Sequence, residues 1–232
     1  MPNLCVILVA AGKSSRFQNP QTKKPFVNLA GRPVWLHSAH RFRQHDSVNQ
    51  LILVLAAEDR DTFLEANAKL VTDLNITVVI GGAERADSVE NALQPVDSMC
   101  DFVVIHDAAR PCFEMNLFER VLASALTQGA AIPAIPIHST IKRSTDSRCV
   151  NQTVDRTNLY LAQTPQIFRK QWIVEAYRKR PRGLLTDDAQ LLELADYPIS
   201  LVEGSPLNIK ITTTQDVILA EAIWQIQQTS NR

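Results

Sequence analysis

Residues 4–24 read LCVILVAAGKSSRFQNPQTKK. The run Leu4-Cys5-Val6-Ile7-Leu8-Val9 is apolar and rich in strand-forming side chains, and it stops at Ala10-Ala11-Gly12. That is the pattern of a buried strand emptying into a loop of small residues. The loop carries Lys13, Arg16, Lys23 and Lys24 and no acid, and the first acidic residue of the chain is Asp46. A strand end bordered by small residues and uncompensated cations suits a polyphosphate. The alternative is a solvated surface turn.

Outward from this stretch, apolar runs alternate with helical patterns. Strands are expected at Leu4–Val9, Leu51–Leu55, Ile76–Ile80 and Phe102–Ile105, and helices at Pro33–Gln44, Arg60–Val71 and Arg85–Leu93. Such alternation predicts an α/β fold, a parallel sheet covered on both faces, with ligands bound beyond the carboxyl ends of the strands. Three loops fall at those ends: Ala10–Lys24, Gly81–Ser88 and His106–Pro111. After a helix over Glu114–Leu126 and a strand over Ala130–Ile137, the segments Thr140–Arg143 and Val150–Val154 flank the polar turn Ser144-Thr145-Asp146-Ser147. This reads as a β-hairpin too polar for the core, projecting from the sheet. Its exposed edge needs a cover, and a second subunit is an economical one. Helices over Lys170–Lys179 and Asp187–Ala195, a strand over Ile199–Val202 and a helix over Thr214–Gln228 complete the expectation.

The 232 residues suit a single domain, with no linker composition to divide it. Lys plus Arg and Asp plus Glu balance at 24 each, which argues against a general nucleic-acid or membrane-surface binder. Cys5, Cys100, Cys112 and Cys149 have no CxxC spacing and no secretory leader precedes them, so free thiols in a reducing, cytoplasmic setting are expected. No apolar run approaches the ~20 residues that span a bilayer.

Known phosphate loops fit the first loop poorly. The Walker pattern requires glycine where Ile7 stands, and the dinucleotide fingerprint requires three glycines where the loop has one. In the second loop, Gly81-Gly82 permits close backbone approach by a flat base or ribose, or else forms a tight turn and helix cap. In the third, Asp107 could hold Mg²⁺ through one carboxylate with phosphates supplying other ligands, or pair with Arg110. His37 and His40 lie three apart on a predicted helix, but no third ligand accompanies them as a metal site requires.

The motifs AAGKSSR, GGAERADSV, HDAARP, TVDR, QTPQ, TDDA and NIKIT occur in this order. Together, over nearly the whole chain, they resemble the cytidylyltransferases that make 4-diphosphocytidyl-2-C-methyl-D-erythritol in the non-mevalonate isoprenoid pathway. The resemblance implies a Rossmann-like, mostly parallel sheet with helices on both faces. It also implies a protruding β-arm, here about residues 137–157, exchanged within a homodimer. The implied reaction joins CTP to 2-C-methyl-D-erythritol 4-phosphate with Mg²⁺ and releases pyrophosphate.

Carried across, the resemblance assigns Arg16 and Lys24 to the transition state and Asp107 to the metal. Ala10, Ala11, Gly12, Gly81, Gly82 and Ser88 would receive the nucleotide, with Lys13 assisting at its phosphates. Arg156 and Lys210 would position the acceptor phosphate, Arg156 from the partner subunit. Arg110, Thr140 and Thr186 would be further substrate contacts. Family members carry glycine at Ser14, Pro-Lys-Gln near Lys23-Lys24-Pro25 and Asp at Ser139. Register with Phe26 and Gly31-Arg32-Pro33-Val34 selects Lys24 and leaves Lys23 as its rival. Ribitol 5-phosphate is the alternative acceptor. A non-catalytic nucleotide-binding regulatory protein is the alternative outside the enzyme class, and the missing glycine fingerprint disfavours a dehydrogenase.

Overall fold

The computed structural model describes residues 1–12, 23–145, 148–181 and 185–230. In chain order the strands are β1 (Leu4–Val9), β2 (Asn28–Leu29), β3 (Arg32–Pro33), β4 (Val48–Leu55), β5 (Ile76–Ile80), β6 (Phe102–Asp107), β7 (Ala130–Pro136), β8 (Ile141–Ser144), β9 (Val150–Val154), β10 (Tyr160–Ala162), β11 (Gln166–Arg169) and β12 (Ser200–Glu203). The helices are α1 (Val34–Arg43), α2 (Ala57–Asp73), α3 (Arg85–Leu93), α4 (Met115–Gln128), α5 (Lys170–Arg178), α6 (Ala189–Leu194) and α7 (Thr214–Ser230).

The central sheet runs β10-β7-β11-β6-β1-β4-β5, with β12 also on β7. β1 pairs in parallel with both β4 and β6, placing Val9 level with Val54 and Asp107. β4 pairs in parallel with β5, so the ends of β1, β5 and β6, where the predicted loops emerge, lie at one end of the sheet. Alternation sends Leu4, Val6 and Leu8 to one face, against Trp35 and Phe42 of α1, Phe63 of α2 and Phe118 of α4. Cys5 and Ile7 point the other way, toward Val89 of α3, Ile173 and Tyr177 of α5 and Leu192 of α6. α7 packs Ala220 and Ile223 on a smaller cluster with Leu29, Val34, Cys112 and Ile211.

The expected mixed α/β architecture is present, with two larger differences and a small, unanticipated β2-β3 pair that includes Pro33, expected as the first residue of a helix. β6 continues through His106 and Asp107, so these residues belong to a buried strand and not to a loop. Residues 160–169, not expected as strand, run antiparallel along β7 as β10 and β11, and β11 also pairs with β6. A cis Thr164-Pro165 bond lies between the two. β8 and β9 form a separate antiparallel hairpin whose residues are exposed apart from half-buried Ile141 and Val154.

Candidate active site

The second predicted loop closes one side of a cavity of about 410 Å³. Ala11, Gly12, Gly81, Gly82, Arg85 and Ser88 are among its walls. Gly81 donates its N–H to Leu55 O at 2.7 Å, continuing the sheet edge. A β-carbon at residue 81 would lie 2.6 Å from Ala11 Cβ and 2.7 Å from Ser88 Oγ, so only glycine fits against both loops. The Ser88 hydroxyl accepts from Gly82 N–H and donates to Glu84 O, each at 3.1 Å. The result is a preformed backbone surface at the start of α3, a geometry suited to a nucleotide.

Beside it is a smaller cavity of about 240 Å³ whose walls include Arg85, Asp107, Arg110, Gln163, Thr186 and Lys210. Arg85 lines both. Asp107, at the end of β6, faces Lys210 Nζ at 2.6 Å through Oδ2 and Arg85 Nε at 3.3 Å through Oδ1. Arg110 Nε stands 3.8 Å from Oδ2. Burial alone would push the Asp107 carboxyl up; the charges of Arg85, Lys210 and Arg110 more than reverse this and hold it well below the usual carboxylate range. The alternative reading, an Asp107–Arg110 pair, is thus met only by the loosest of three contacts. Arg110 is held by its Nη1, which donates to Asn208 O at 2.7 Å, while its buried Nε has no hydrogen-bond partner. A spare buried donor among three cations and one carboxylate is a place for an anion.

The floor is built by QTPQ. Gln163 Nε2 donates to Ser205 O at 2.8 Å, and Asn208 Nδ2 donates to Thr164 O at 2.8 Å, fixing the loop that presents Lys210. Gln166 Nε2 donates to Asp187 Oδ2 at 2.9 Å, and Gln166 Oε1 accepts from Ala189 N–H at 3.3 Å, fixing the segment that presents Thr186. Thr164 Oγ1 accepts from Asp107 N–H and pairs with His106 Nδ1, each at 3.1 Å.

Burial pushes the His106 imidazolium down to about 3, with Arg110 and Lys210 adding to the shift and Asp107 opposing it. The unfolded chain takes up this proton near 6.5 while the fold refuses it. Its contribution to stability is therefore full above about pH 6.5 and is lost as pH falls, by at most about 1.4 kcal/mol per pH unit. His37 and His40 are also lowered by burial and act in the same direction. Urea midpoints of His106→Gln are expected to fall less between pH 7 and 5 than those of the unmodified chain; parallel acid limbs would refute this.

Of the sequence-predicted residues, Ala11, Gly12, Gly81, Gly82 and Ser88 share the larger cavity, and Asp107, Arg110, Thr186 and Lys210 the smaller. Ala10 lines neither; it is buried in the core, with its N–H bonded to Val54 O. Thr140 and Arg156 are exposed and also outside both, Arg156 bonding His138 O at the base of the arm. Lys13 and Arg16 lie outside the described residues, and of Lys24 only the backbone is described, in a short 3₁₀ turn. Lys23 is engaged elsewhere, 2.7 Å from Glu58 and 2.6 Å from Asp59 at the start of α2. His37 Nε2 pairs with Leu29 O and its ring packs edge-on against Trp224. Arg85, the residue common to both cavities, was not singled out by sequence, although GGAERADSV contains it.

No group of three or more metal-binding side chains occurs among the described residues. Asp107 is held ionised and lines the smaller cavity, which fits Mg²⁺ as it is generally held, through one carboxylate with phosphate oxygens completing the shell.

A family model described as 2-C-methyl-D-erythritol 4-phosphate cytidylyltransferase, IspD, matches residues 4–226. The enzyme of that name from Rhodopirellula baltica is 40% identical, over 95% of this chain and 94% of that protein. The one from Bacillus velezensis is 39% identical over 96% of each. The crystal structure of 4-diphosphocytidyl-2C-methyl-D-erythritol synthase from Anaerococcus prevotii superposes with a TM-score of 0.81 at 30% identity, over 97% of this chain and 96% of that one. With nearly its full length matched in sequence and in fold, the chain belongs to the IspD family of cytidylyltransferases.

Proposed function

We propose that the chain transfers CMP from CTP to 2-C-methyl-D-erythritol 4-phosphate, giving 4-diphosphocytidyl-2-C-methyl-D-erythritol and pyrophosphate. The observation that carries this reading is the meeting of a glycine-walled cavity and a cation-walled cavity at Arg85, beside Asp107. One suits a nucleotide and the other a phosphate monoester, and the reaction requires both in contact. The acceptor phosphate, already ionised, attacks the α-phosphorus in line, so no protein base or nucleophile is needed. Catalysis rests on positioning and on charge stabilisation.

Lys210 and Arg110 hold the acceptor phosphate, with Thr186 at its rim. Arg16 and Lys24 stabilise charge on the α-phosphate and the departing pyrophosphate, and Lys13 assists. The ion pairs of Lys23 with Glu58 and Asp59 support Lys24 as the reacting lysine. Asp107 holds Mg²⁺, which when bound offsets charge on the nucleotide phosphates. The arm at about 137–157 crosses to a second subunit in a homodimer and brings Arg156 and Thr140 to the partner's acceptor site. The exposure of both residues, outside either cavity of their own chain, supports that arrangement. Among the described residues no helix is long and apolar enough to cross a membrane, and the proposed setting is the cytoplasm.

Pyrophosphate release measured with four nucleoside triphosphates, with methylerythritol phosphate or ribitol 5-phosphate, and with or without Mg²⁺ tests the reading. CTP with methylerythritol phosphate and Mg²⁺ is expected to be fastest. Faster turnover of ribitol 5-phosphate would move the chain to that reaction, and no release with any pair would favour a regulatory nucleotide binder.

A further inference from the structure

Arg85 is held from behind by residues that line neither cavity with the groups concerned. Its Nη1 donates to Asp188 Oδ2 at 2.7 Å, and the other Asp188 oxygen accepts from the Tyr177 hydroxyl at 2.6 Å. Asp188 is 1% exposed and Tyr177 4% exposed, so neither carboxylate nor phenol is a surface group. A continuous path therefore runs from α5 through the residue preceding α6 to Arg85, and from Arg85 Nε to Asp107.

Two physical arguments give this path a purpose. Arg85, Arg110 and Lys210 place three cations around Asp107, and one carboxylate cannot localise all three. Without Asp188, Arg85 would compete with Lys210 for the same two oxygens. With it, the planar fork of Arg85 is fixed at two of its nitrogens, a geometry that a lysine ammonium cannot reproduce. Burial alone would lower the Arg85 pKa, but Asp188 and Asp107 raise it above its ordinary value, so the guanidinium stays charged between the cavities. The Tyr177 phenol, pushed up by burial and by Asp188, stays protonated and can only donate to the carboxylate.

We propose that Tyr177 and Asp188 are positioning residues that act through Arg85, setting the guanidinium where nucleotide and acceptor phosphate meet. The role deepens the reading above and rests on it. Tyr177 touches no substrate, and removing its hydroxyl loosens Asp188 and, through it, Arg85.

The test is a cycle of Tyr177→Phe, Arg85→Lys and the double variant, with Asp188→Asn as a second probe. It is read by CTP affinity, by kcat and KM for both substrates, and by thermal denaturation. Tyr177→Phe keeps the ring in its buried cluster and removes one hydrogen bond. It is expected to lower kcat/KM or CTP affinity by about five- to tenfold in the native background. In the Arg85→Lys background the same change is expected to cost less than about twofold, because the relay no longer has its target. Asp188→Asn is expected to reproduce the larger effect. Tyr177→Phe that lowers only the melting temperature, or whose kinetic cost persists undiminished beside Arg85→Lys, would overturn the relay while leaving the reaction intact. An unmodified chain that neither binds CTP nor releases pyrophosphate would overturn both.

Discussion

A Lys24→Ala chain is expected to turn over CTP and methylerythritol phosphate about ten- to more than a hundredfold more slowly, with CTP affinity nearly unchanged. A charge-assisted contact made only in the transition state contributes about 1.5–3 kcal/mol, and its loss appears in kcat. Arg16→Ala should do the same. Lys23→Ala should keep near-normal turnover, since its ammonium is bound by Glu58 and Asp59. Those exposed to half-buried pairs contribute little to stability. Normal turnover by Lys24→Ala together with an inactive Lys23→Ala would reverse the assignment. The same protein also tests sharing of the site. Mixed with Arg156→Ala subunits, each form impaired alone, Lys24→Ala should regain part of the activity in the fraction of dimers that assembles one intact site. Confirmed subunit exchange without recovery would place Arg156 outside the partner's chemistry.

Asp107→Asn is expected to cost about two orders of magnitude in kcat/KM and about 3 kcal/mol of stability. The catalytic loss follows from removing the carboxylate proposed to hold Mg²⁺, which also spaces the cations. The stability loss follows from leaving Arg85 and Arg110 facing each other without their shared acid. Breaking one partner of a buried ion pair costs about 3–5 kcal/mol. The low end applies here because Lys210, with a side chain 40% exposed, can turn to solvent, and Arg85 retains Asp188. Chemical denaturation and pyrophosphate release separate the two effects, and equal stability of Asp107→Asn and the unmodified chain would refute the electrostatic account.

The sheet and most helices were legible because their signals are local. β1, β5, β9 and α3 match their expected bounds, each being a run of apolar or β-branched residues, or a helical pattern, closed by turn residues. β10 and β11 were not legible. They are three and four residues long and are interrupted by Gln163-Thr164-Pro165, so the apolar residues on either side never make a run long enough to read as a strand. Gln163 and Gln166 are buried there only because residues more than forty and twenty positions away supply their partners. The site was legible where one motif supplies one residue, as at Asp107 and Lys210. Arg85 escaped because GGAERADSV was read for its glycines, and its importance lies in Asp107 and Asp188, which come from two other motifs.

Gln163 and Gln166 tether the two rims of the smaller cavity to one strand segment, and not to each other. That arrangement separates what can vary from what cannot. A library aimed at a new acceptor can change Thr186, which lines the cavity on a tethered loop, while keeping 163–168 as a fixed chassis. Exchanging either glutamine would release a rim and blur selectivity for every acceptor at once. The same economy gives this lineage a route to new polyol phosphates through short rim changes, with no rebuilding of the sheet.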